Sequence, residues 1–383
     1  MDNEILVVTR NFPPLVGGME RLMGRVVEVL QREYLCNLVG PVGCGAHIEP
    51  PGRAWECPPA PVSAFLFCAL AKSAMNVAGR NYRFCLAGSG VTAPIAAFVR
   101  VFRKIPAISF VHGLDLIADS CLYQAVFIPA LRKMDIVIAN SRNTARLAVA
   151  KGIAPDRIEV LCPGVAIPCL TPQARNDFLI SYNLVGKKIL LSVGRLVARK
   201  GLVEFLRHSF PQVLRENPDT VLVVIGAEPE KSIRKDRDVR REIEGVIREA
   251  GFSDNVRLLG AVAEETLGAA YQAADLFVFP AREITGDVEG FGMVATEAAS
   301  YGLPTVAFAV GGVADAVKHG QSGFLVPGED YRQFSEVTIR FLKTGLNGVA
   351  PERCREFAES FSWDKFGVRL LEIISRLCPP DPR

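Results

Sequence analysis

Two glutamates, Glu289 and Glu297, stand with seven residues between them on either side of the point where a loop turns into a predicted helix. The turn is Gly290–Gly292, and good helix formers follow it to about Ser300. Amides at the start of a helix lack intrahelical partners and lie at the positive end of its dipole, and glycines let an anion approach them closely. Carboxylates beside such a phosphate site are suited to accept hydrogen bonds from hydroxyl groups. Phosphate and several hydroxyls together are typical of a nucleotide sugar.

A second pair of residues suited to phosphate, Arg195 and Lys200, follows the predicted strand Lys188–Val193 and precedes a helix. Arginine offers a planar fork to phosphate oxygens, and lysine offers a mobile point charge. At about 4 Å and an effective dielectric constant of about 20, each cation stabilises a departing diphosphate by about 4 kcal/mol. Enzymes lower barriers by roughly 8–23 kcal/mol, so this contribution is useful. Basic loops are most often simply solvated, so the prediction requires that both side chains converge on the Gly290–Gly292 turn.

The stretch from Glu289 to Glu297, which Pro280-Ala-Arg and a loop precede, resembles the E-x7-E motif of the retaining GT-B glycosyltransferases of family 4. Within it, the run Asp-Val-Glu-Gly-Phe-Gly at residues 287–292 is most similar to the GDP-mannose-dependent mannosyltransferases that build phosphatidylinositol mannosides. Residues 194–201 match the G-R-x-x-x-x-K-G pattern of the same family. The resemblance covers nearly the whole chain. It implies a retaining glycosyltransferase that moves a hexose from a nucleotide sugar to a saccharide or lipid-linked acceptor in glycan, lipopolysaccharide or glycolipid assembly.

The resemblance also implies a role for each matching residue. The catalytic set would be His112, Arg195, Lys200 and Glu289, in a front-face reaction in which the leaving diphosphate helps to take the acceptor proton. Arg195, Lys200 and the amides of the helix start would stabilise the diphosphate without a metal ion or another cofactor. Glu289 would hold the hydroxyls of the donor sugar, and Glu297 would hold the ribose. The residues expected to contact the donor are Gly17, Gly18, Arg195, Lys200, Val262, Glu289, Gly290, Phe291, Gly292, Met293, Val294 and Glu297.

The loop Arg282–Glu289 bears on the identity of the donor. By resemblance it favours GDP-mannose. It reads Glu-Ile-Thr-Gly at residues 283–286, however, where the family has a run of glycines. UDP-glucose, UDP-galactose and UDP-N-acetylglucosamine are therefore alternative donors.

His112 directly follows the predicted strand Ala107–Val111, at the carboxyl end where doubly wound sheets bind ligands. The pattern His-Gly-x-Asp that it begins matches the family, which implies that His112 contacts sugar hydroxyls near the reacting centre. Asp115 either joins it on the acceptor side or only caps the turn. Gly17 and Gly18 form another strand-to-helix turn where a ligand can approach the backbone. The resemblance implies that this turn faces the donor phosphates and the acceptor.

Two other motifs favour structural readings. Residues 88–93 match the G-x-G-x-x-A dinucleotide pattern, but they lie in mid-domain and lack an acidic ribose partner about twenty residues further on. We interpret them as packing at the start of a helix. Asp236-Arg-Asp238 is a D-x-D motif, but its basic surroundings, the absence of a preceding strand and the predicted helical setting favour a solvated face over a metal site.

Strands and helices alternate throughout the chain, which predicts an α/β protein with parallel, doubly wound sheets. The resemblance implies the GT-B class, in which two Rossmann-like domains face a cleft that closes during the reaction. We expect residues 1–167 to form the N-terminal, acceptor-side domain and residues 168–363 to form the domain that binds the nucleotide sugar. A last helix, within residues 364–383, is expected to pack back on the first domain.

Composition limits the class of protein and its compartment. A net charge of +3 argues against a nucleic-acid binder, and ten cysteines without a C-x-x-C pair fit the reduced thiols of a cytoplasmic protein. No apolar run is expected to reach the roughly 18 residues of a membrane-spanning helix. The helical stretch Val62–Arg80 is apolar with a basic edge, which permits peripheral association with the cytoplasmic face of a membrane. The alternative is a core-facing helix with a solvated edge.

Two other functions fit the same fold. A nucleotide-sugar epimerase would need carboxylates and histidines around the sugar from both domains, and the chain has four histidines in all. A non-catalytic nucleotide-sugar binder would have lost Glu289 or Lys200, and both are present. Glycosyl transfer is therefore the preferred function.

Overall fold

The computed structural model describes residues 3–118, 120–228, 238–345 and 349–378. The chain divides into two compact units. Unit 1 comprises Met1–Gly164 and Trp363–Arg383, and unit 2 comprises Val165–Ser362. The boundary predicted from the sequence, between residues 167 and 168, lies in the stretch without helix or strand that follows Gly164.

Unit 1 is built on a sheet of seven parallel strands in the order β3-β2-β1-β4-β5-β6-β7. In chain order these strands are β1 (Glu4–Val8), β2 (Leu35–Pro41), β3 (Arg53–Cys57), β4 (Cys85–Ala87), β5 (Ala107–Val111), β6 (Ile136–Ala139) and β7 (Ile158–Val160). The helices between them are α1 (Gly18–Gln31), α2 (Val62–Gly79), α3 (Ala93–Arg103), α4 (Leu114–Ile117), α5 (Cys121–Leu131) and α6 (Arg142–Ala150). The central strands are buried on both faces, which is why they read as continuous apolar runs.

Unit 2 repeats this arrangement with six parallel strands in the order β10-β9-β8-β11-β12-β13. The strands are β8 (Lys188–Val193), β9 (Thr220–Ile225), β10 (Val256–Gly260), β11 (Leu276–Phe279), β12 (Thr305–Phe308) and β13 (Gly323–Val326). The helices are α7 (Pro172–Ser181), α8 (Leu202–His208), α9 (Phe210–Glu216), α10 (Val239–Glu249), α11 (Glu264–Ala273), α12 (Met293–Ser300), α13 (Val313–Ala316), α14 (Tyr331–Thr344) and α15 (Pro351–Glu359). Both units are doubly wound α/β domains, so the predicted fold class is confirmed.

The last helix, α16 (Trp363–Leu377), belongs to unit 1. Its buried side chains, among them Phe366 and Leu370, pack in the same apolar core as the buried face of α1. At its start, Trp363 covers Gly164, where a Cβ would lie 2.3 Å from the indole Cε3. The C-terminal segment is therefore an integral part of the first unit.

Helix α2 differs from its sequence-based description. No apolar run was expected to reach the roughly 18 residues of a membrane-spanning helix, and by length and composition this expectation is wrong. The helix has 18 residues with a mean hydropathy of 1.4, and by length and composition it is the one candidate span within the described ranges. Only 28% of it is buried, but Phe65, Ala69 and Val77 pack in the core of unit 1. The helix is therefore part of the fold on one side and exposed on the other.

An ion pair between Arg100 and Asp135, called the clamp below, joins a helix of unit 1 to its sheet. Asp135 Oδ2 accepts hydrogen bonds from the backbone amide of Ala107 at 2.9 Å and from Arg100 Nε at 2.8 Å. Its Oδ1 accepts from Arg100 Nη2 at 2.7 Å. Burial opposes ionisation of Asp135, but these hydrogen bonds outweigh it and hold the pKa of the carboxyl below its usual range. The clamp joins α3 to the strands β5 and β6.

Replacing Asp135 by Asn should lower the free energy of unfolding by about 2 kcal/mol at neutral pH, because a charged acceptor of three hydrogen bonds is lost. The folded pKa lies below the unfolded value of 3.8. The contribution is therefore present above the unfolded pKa and is lost as pH falls through the folded pKa. Urea unfolding of both proteins at pH 7 and near pH 3 measures this, and we expect the difference to shrink in acid.

The matched control is Glu28→Gln, which removes an exposed ion pair with Arg25 in the same unit. That change should cost less than about 0.5 kcal/mol. A difference between wild type and Asp135→Asn that stays the same at both pH values would contradict the assignment of the stability to the ionised carboxylate.

Candidate active site

In unit 2 the strand order changes direction between β8 and β11, and ligands of doubly wound sheets bind at the carboxyl ends of such strands. The loop after β8 carries Lys200, and the loop after β11 carries Glu289. Lys200 Nζ lies 2.9 Å from Glu289 Oε2, and Arg199 Nε lies 3.3 Å from the same oxygen. The exposed fractions of the Lys200, Arg199 and Glu289 side chains are 15, 10 and 11%. The two loops therefore meet in a nearly buried ion cluster.

A tight turn holds the first loop against the second. The 3-10 turn Ala198–Lys200 ends at Gly201, whose φ of 67° lies in the left-handed region. A Cβ on Gly201 would lie 1.9 Å from the carbonyl oxygen of Pro280. The amide of Arg282 donates to the carbonyl oxygen of Arg199 at 2.8 Å. Only glycine permits this approach, which fixes the basic turn beside the loop that follows β11.

The ring of Phe279, the last residue of β11, connects the ammonium group to the start of α12. Lys200 Nζ lies 4.6 Å from the ring centroid, within cation–π range. Gly292 has a φ of 99°, and a Cβ on it would lie 2.8 Å from Phe279 Cε1. The two halves of the predicted phosphate site therefore share one aromatic neighbour.

The Gly290–Gly292 turn packs against the backbone of Gly311 and Gly312. The amide of Gly312 donates to the carbonyl oxygen of Glu289 at 2.8 Å. A Cβ on Gly312 would lie 2.0 Å from the carbonyl oxygen of Gly290, so a side chain there would displace the turn. Helix α12 begins directly after the turn, and its first amides have no intrahelical partner. The predicted group of amides, Phe291 to Val294, thus lies at a helix start whose backbone is held in place.

The ion cluster carries an excess of positive charge. Arg199 Nη1 also lies 3.6 Å from Asp287 Oδ2, so Arg199 and Lys200 face two carboxylates, Asp287 and Glu289, and Arg195 adds a third positive charge near Lys200. Burial opposes the charge on Glu289, but the fields of Lys200 and Arg199 outweigh it and lower the pKa of the carboxyl. Burial also lowers the pKa of Lys200, and the two arginines add to that shift against the attraction of Glu289. With three positive and two negative side chains, this region has a net positive charge that favours the binding of an additional anion.

Glu297 lies on α12, four residues beyond its start, and is half-buried. The hydroxyl of Tyr271 donates to Glu297 Oε2 at 3.2 Å, and the Tyr271 ring stacks on Tyr301 with centroids 5.2 Å apart. The tyrosine therefore orients the carboxylate predicted to hold a ribose. Val262, predicted to line the base slot, is half-buried just after β10.

In unit 1, His112 lies directly after β5 and is buried. Its Nε2 lies 2.8 Å from the carbonyl oxygen of Gly88, which can only accept, so Nε2 carries the proton in the neutral ring. Its Nδ1 is buried and has no hydrogen-bond partner among the described residues. Asp115 accepts from the amides of His112 at 2.8 Å and Gly90 at 2.9 Å. The turn at residues 88–90, first read as packing, thus fixes both predicted acceptor-side residues.

The first loop of unit 1 leads into α1 through Gly17 and Gly18. Asn11 Nδ2 donates to Glu20 Oε1 at 2.7 Å. The other carboxylate oxygen, Glu20 Oε2, packs against Gly17, and a Cβ on Gly17 would lie only 2.2 Å from it. Gly17 thus leaves room for a carboxylate of the first helical turn.

Several members of these clusters were not among the residues predicted from the sequence. Arg199, Asp287, Phe279 and Tyr271 all contact a predicted site residue, and the one signal available for Arg199 was its place beside Lys200. Of the predicted pair of cations, Lys200 is in the ion cluster and Arg195 is exposed at its edge. Within the described ranges, no three His, Cys, Asp or Glu side chains are grouped as metal ligands, and most of the D-x-D motif at 236–238 lies outside those ranges.

Two family models match the chain. The model described as Glycosyltransferase Family 4 matches residues 16–167, and the model described as Glycosyl transferases group 1 matches residues 177–361. Each match falls on one of the two doubly wound domains. The resemblance predicted from the motifs is therefore confirmed.

Relatives and solved structures extend these matches over the full length. A GDP-mannose-dependent alpha-(1-6)-phosphatidylinositol monomannoside mannosyltransferase of Mycolicibacterium smegmatis is 28% identical over 391 residues, covering 97% of this chain and 98% of the relative. A GDP-mannose-dependent monoacylated alpha-(1-6)-phosphatidylinositol monomannoside mannosyltransferase of Corynebacterium glutamicum is 28% identical over 386 residues, covering 96% of this chain and 97% of the relative. The crystal structure of Anabaena HepE in complex with UDP has a TM-score of 0.78 at 20% identity, covering 97% of this chain and all of HepE. This last likeness establishes the GT-B fold.

Proposed function

We propose that the chain is a retaining glycosyltransferase of glycolipid assembly, because a family 4 model and a group 1 glycosyltransferase model match its two domains. It moves a hexose from a nucleotide sugar to a saccharide or lipid-linked acceptor. The observation that carries the proposal is the convergence of Lys200 and Arg199 on Glu289, next to the Gly290–Gly292 turn. Cations, a glycine-lined helix start and a carboxylate are the parts that an anionic, polyhydroxylated donor needs.

The diphosphate of the donor binds to Arg195, Lys200 and the amides of residues 291–294. The excess positive charge of the cluster supports this assignment, since a leaving diphosphate gains negative charge as the glycosidic bond breaks. The same charge supports a reaction without a metal ion, because the basic side chains stabilise the leaving group themselves. The exposed position of Arg195 lets its fork reach a ligand in solvent.

The sugar and the nucleoside bind on either side of the diphosphate. Glu289 is ionised, and it accepts hydrogen bonds from hydroxyls of the donor sugar. Glu297, oriented by Tyr271, accepts from the ribose hydroxyls, and Val262 lies against the base. We propose GDP-mannose as the donor, because the two mannosyltransferases cited above are named for it and match nearly the whole chain. A UDP-hexose is the alternative, since HepE binds UDP.

Transfer proceeds on the front face of the sugar. The bond from the anomeric carbon to the leaving phosphate oxygen breaks as the acceptor oxygen adds on the same side, and the phosphate oxygen takes the acceptor's proton. The anomeric configuration is thereby retained. On the acceptor side, His112 offers its Nδ1 as a fixed hydrogen-bond acceptor for a hydroxyl, and Asp115 holds the turn that carries it. Gly17 and Gly18 let the ligand approach the backbone of the first loop.

Replacing Lys200 by Ala should lower turnover by about a thousandfold, because a cation worth about 4 kcal/mol to the leaving diphosphate is lost. The fold should survive, since Arg199 still pairs with Glu289. The measurement is transfer of radiolabelled hexose to a total lipid extract, with circular dichroism to check folding. The control, Lys187→Ala, removes an exposed lysine of the same unit and should keep full activity. Normal turnover in Lys200→Ala would refute the assignment.

The same assay tests the donor, the stereochemistry and the absence of a metal. We expect transfer from GDP-mannose and not from UDP-glucose, UDP-galactose or UDP-N-acetylglucosamine. Proton NMR of the product should show the anomeric configuration of the donor, and EDTA should leave the rate unchanged. Transfer from a UDP sugar alone would replace the donor assignment, an inverted product would exclude the front-face reaction, and loss of activity in EDTA would require a metal.

We further propose that unit 1 binds the cytoplasmic face of an anionic membrane through α2 and α3, where a lipid-linked acceptor would be found. Phe67, Ala71 and Met75 recur every four residues and are all exposed, so they share one face of α2. Phe67 and Met75 are 79 and 76% exposed. On the neighbouring helix, Phe98 and Phe102 stack with their rings 5.8 Å apart and are also exposed. Lys72, Arg103 and Lys104 supply positive charge at the edges of these helices.

The double variant Phe67→Ser/Met75→Ser should bind vesicles of phosphatidylcholine and phosphatidylglycerol at least about tenfold more weakly than wild type, because each apolar side chain contributes roughly 1.5–3 kcal/mol when buried. Co-sedimentation measures this. The matched control is Ile180→Ser/Val185→Ser, which removes two similarly exposed apolar side chains of unit 2. Equal binding by the two double variants, or no binding by wild type, would rule out this surface.

A further inference from the structure

The ion cluster contains a second cation that the proposed reaction does not use. Arg199 and Lys200 both bind the same oxygen, Glu289 Oε2, at 3.3 and 2.9 Å. A positive charge that is engaged with this carboxylate contributes less to a diphosphate. If Lys200 were the sole partner of Glu289, turning towards a phosphate would leave a buried carboxylate without a counter-ion, which is costly.

The two cations are held differently. The carbonyl oxygen of Arg199 accepts a hydrogen bond from the amide of Arg282 at 2.8 Å. The guanidinium group of Arg199 lies between Asp287 and Glu289. Arg199 therefore contacts both ends of the loop after β11. Arg199 is also the least exposed of the three basic residues. Lys200 reaches Glu289 through a flexible stem, and its Nζ lies over the ring of Phe279. The arginine is therefore fixed, whereas the lysine can turn.

We propose that Arg199 is a positioning residue, the permanent counter-ion of Glu289, and that it thereby releases Lys200 to bind the donor's diphosphate. The inference rests on the proposed function, in which Lys200 contacts that diphosphate. Arg199 itself touches neither the phosphate nor the reacting carbon. It acts through the carboxylate that it shares with Lys200.

This role makes a prediction that a purely structural role for Arg199 does not make. Without Arg199, Lys200 is the one ion-pair partner of Glu289 left among the described residues and stays with it, so diphosphate binding weakens. If Glu289 is removed as well, Lys200 has no carboxylate to neutralise and is free for the phosphate again. Removing Glu289 should therefore restore the diphosphate binding that is lost when Arg199 is removed. A loop that had merely collapsed would not be repaired by losing a further contact.

The experiment is calorimetric titration of the full chain with GDP and with UDP, neither of which carries the sugar that Glu289 would hold. We expect Arg199→Gln to bind the diphosphate about tenfold more weakly than wild type, the loss of one charge-assisted contact. Glu289→Gln should bind at least as tightly as wild type. The double variant should return to within about twofold of Glu289→Gln, and Arg199→Lys, which keeps the charge, should stay within about threefold of wild type.

Arg207→Gln, at an exposed arginine of α8 in the same unit, is the matched control and should bind as wild type does. Unchanged affinity in Arg199→Gln, or a double variant as weak as Arg199→Gln, would overturn the inference while leaving the proposed function intact. Lys200→Ala in the same titration separates the two, because unchanged affinity there would overturn the proposed function itself.

Discussion

Unit 2 depends on one buried carboxylate that is neutralised from another loop. Removing an unpaired carboxylate from water costs several kcal/mol, so Glu289 can be 11% exposed only because Lys200 and Arg199 approach it. Positions 199 and 289 are 90 residues apart, and the pairing joins the loop after β8 to the loop after β11. These two strands are neighbours at the point where the sheet order changes direction. The ion cluster therefore holds the basic turn next to the start of α12.

Charge attracts these loops, but backbone sterics set their separation. At Gly201 and Gly312 a Cβ would lie within 2.0 Å of a carbonyl oxygen of the opposing segment, and at Gly292 it would meet the ring of Phe279. Each glycine permits a close approach that no other residue permits. Gly201 and Gly292 lie on the two loops that meet at the cluster, and Gly312 lies on the loop after β12, which packs against the second of them. The electrostatic and steric requirements are thus met by different residues, which explains why both basic residues and glycines recur in the motifs.

Much of this architecture could be predicted, and the exceptions have physical reasons. Strands buried on both faces, such as Thr220–Ile225, read as unbroken apolar runs, so the alternation of strands and helices was sufficient for the fold class. Lys200 and Glu289 followed from the spacing of residue types in the motifs. Arg199 did not, because an arginine in a basic loop is normally solvated, and its burial here depends on carboxylates far along the chain. Helix α2 was predicted as the stretch Val62–Arg80, but it was not counted as long enough to span a membrane because Lys72 interrupts its apolar run, although a lysine stem can lie along an apolar helix.

The two units present different chemistry at the carboxyl ends of neighbouring strands in similar sheets. After β8 and β11 of unit 2 lies an excess of positive charge, which suits a leaving group that gains negative charge. After β4 and β5 of unit 1, both oxygens of Asp115 accept hydrogen bonds from backbone amides. Asp115 thereby fixes the backbone of His112. The Nε2 of His112 binds the carbonyl oxygen of Gly88, and its Nδ1 has no hydrogen-bond partner within the described ranges. A fixed hydrogen-bond acceptor suits a hydroxyl group, so the distinction between the units follows from the residues after the strands rather than from the sheets.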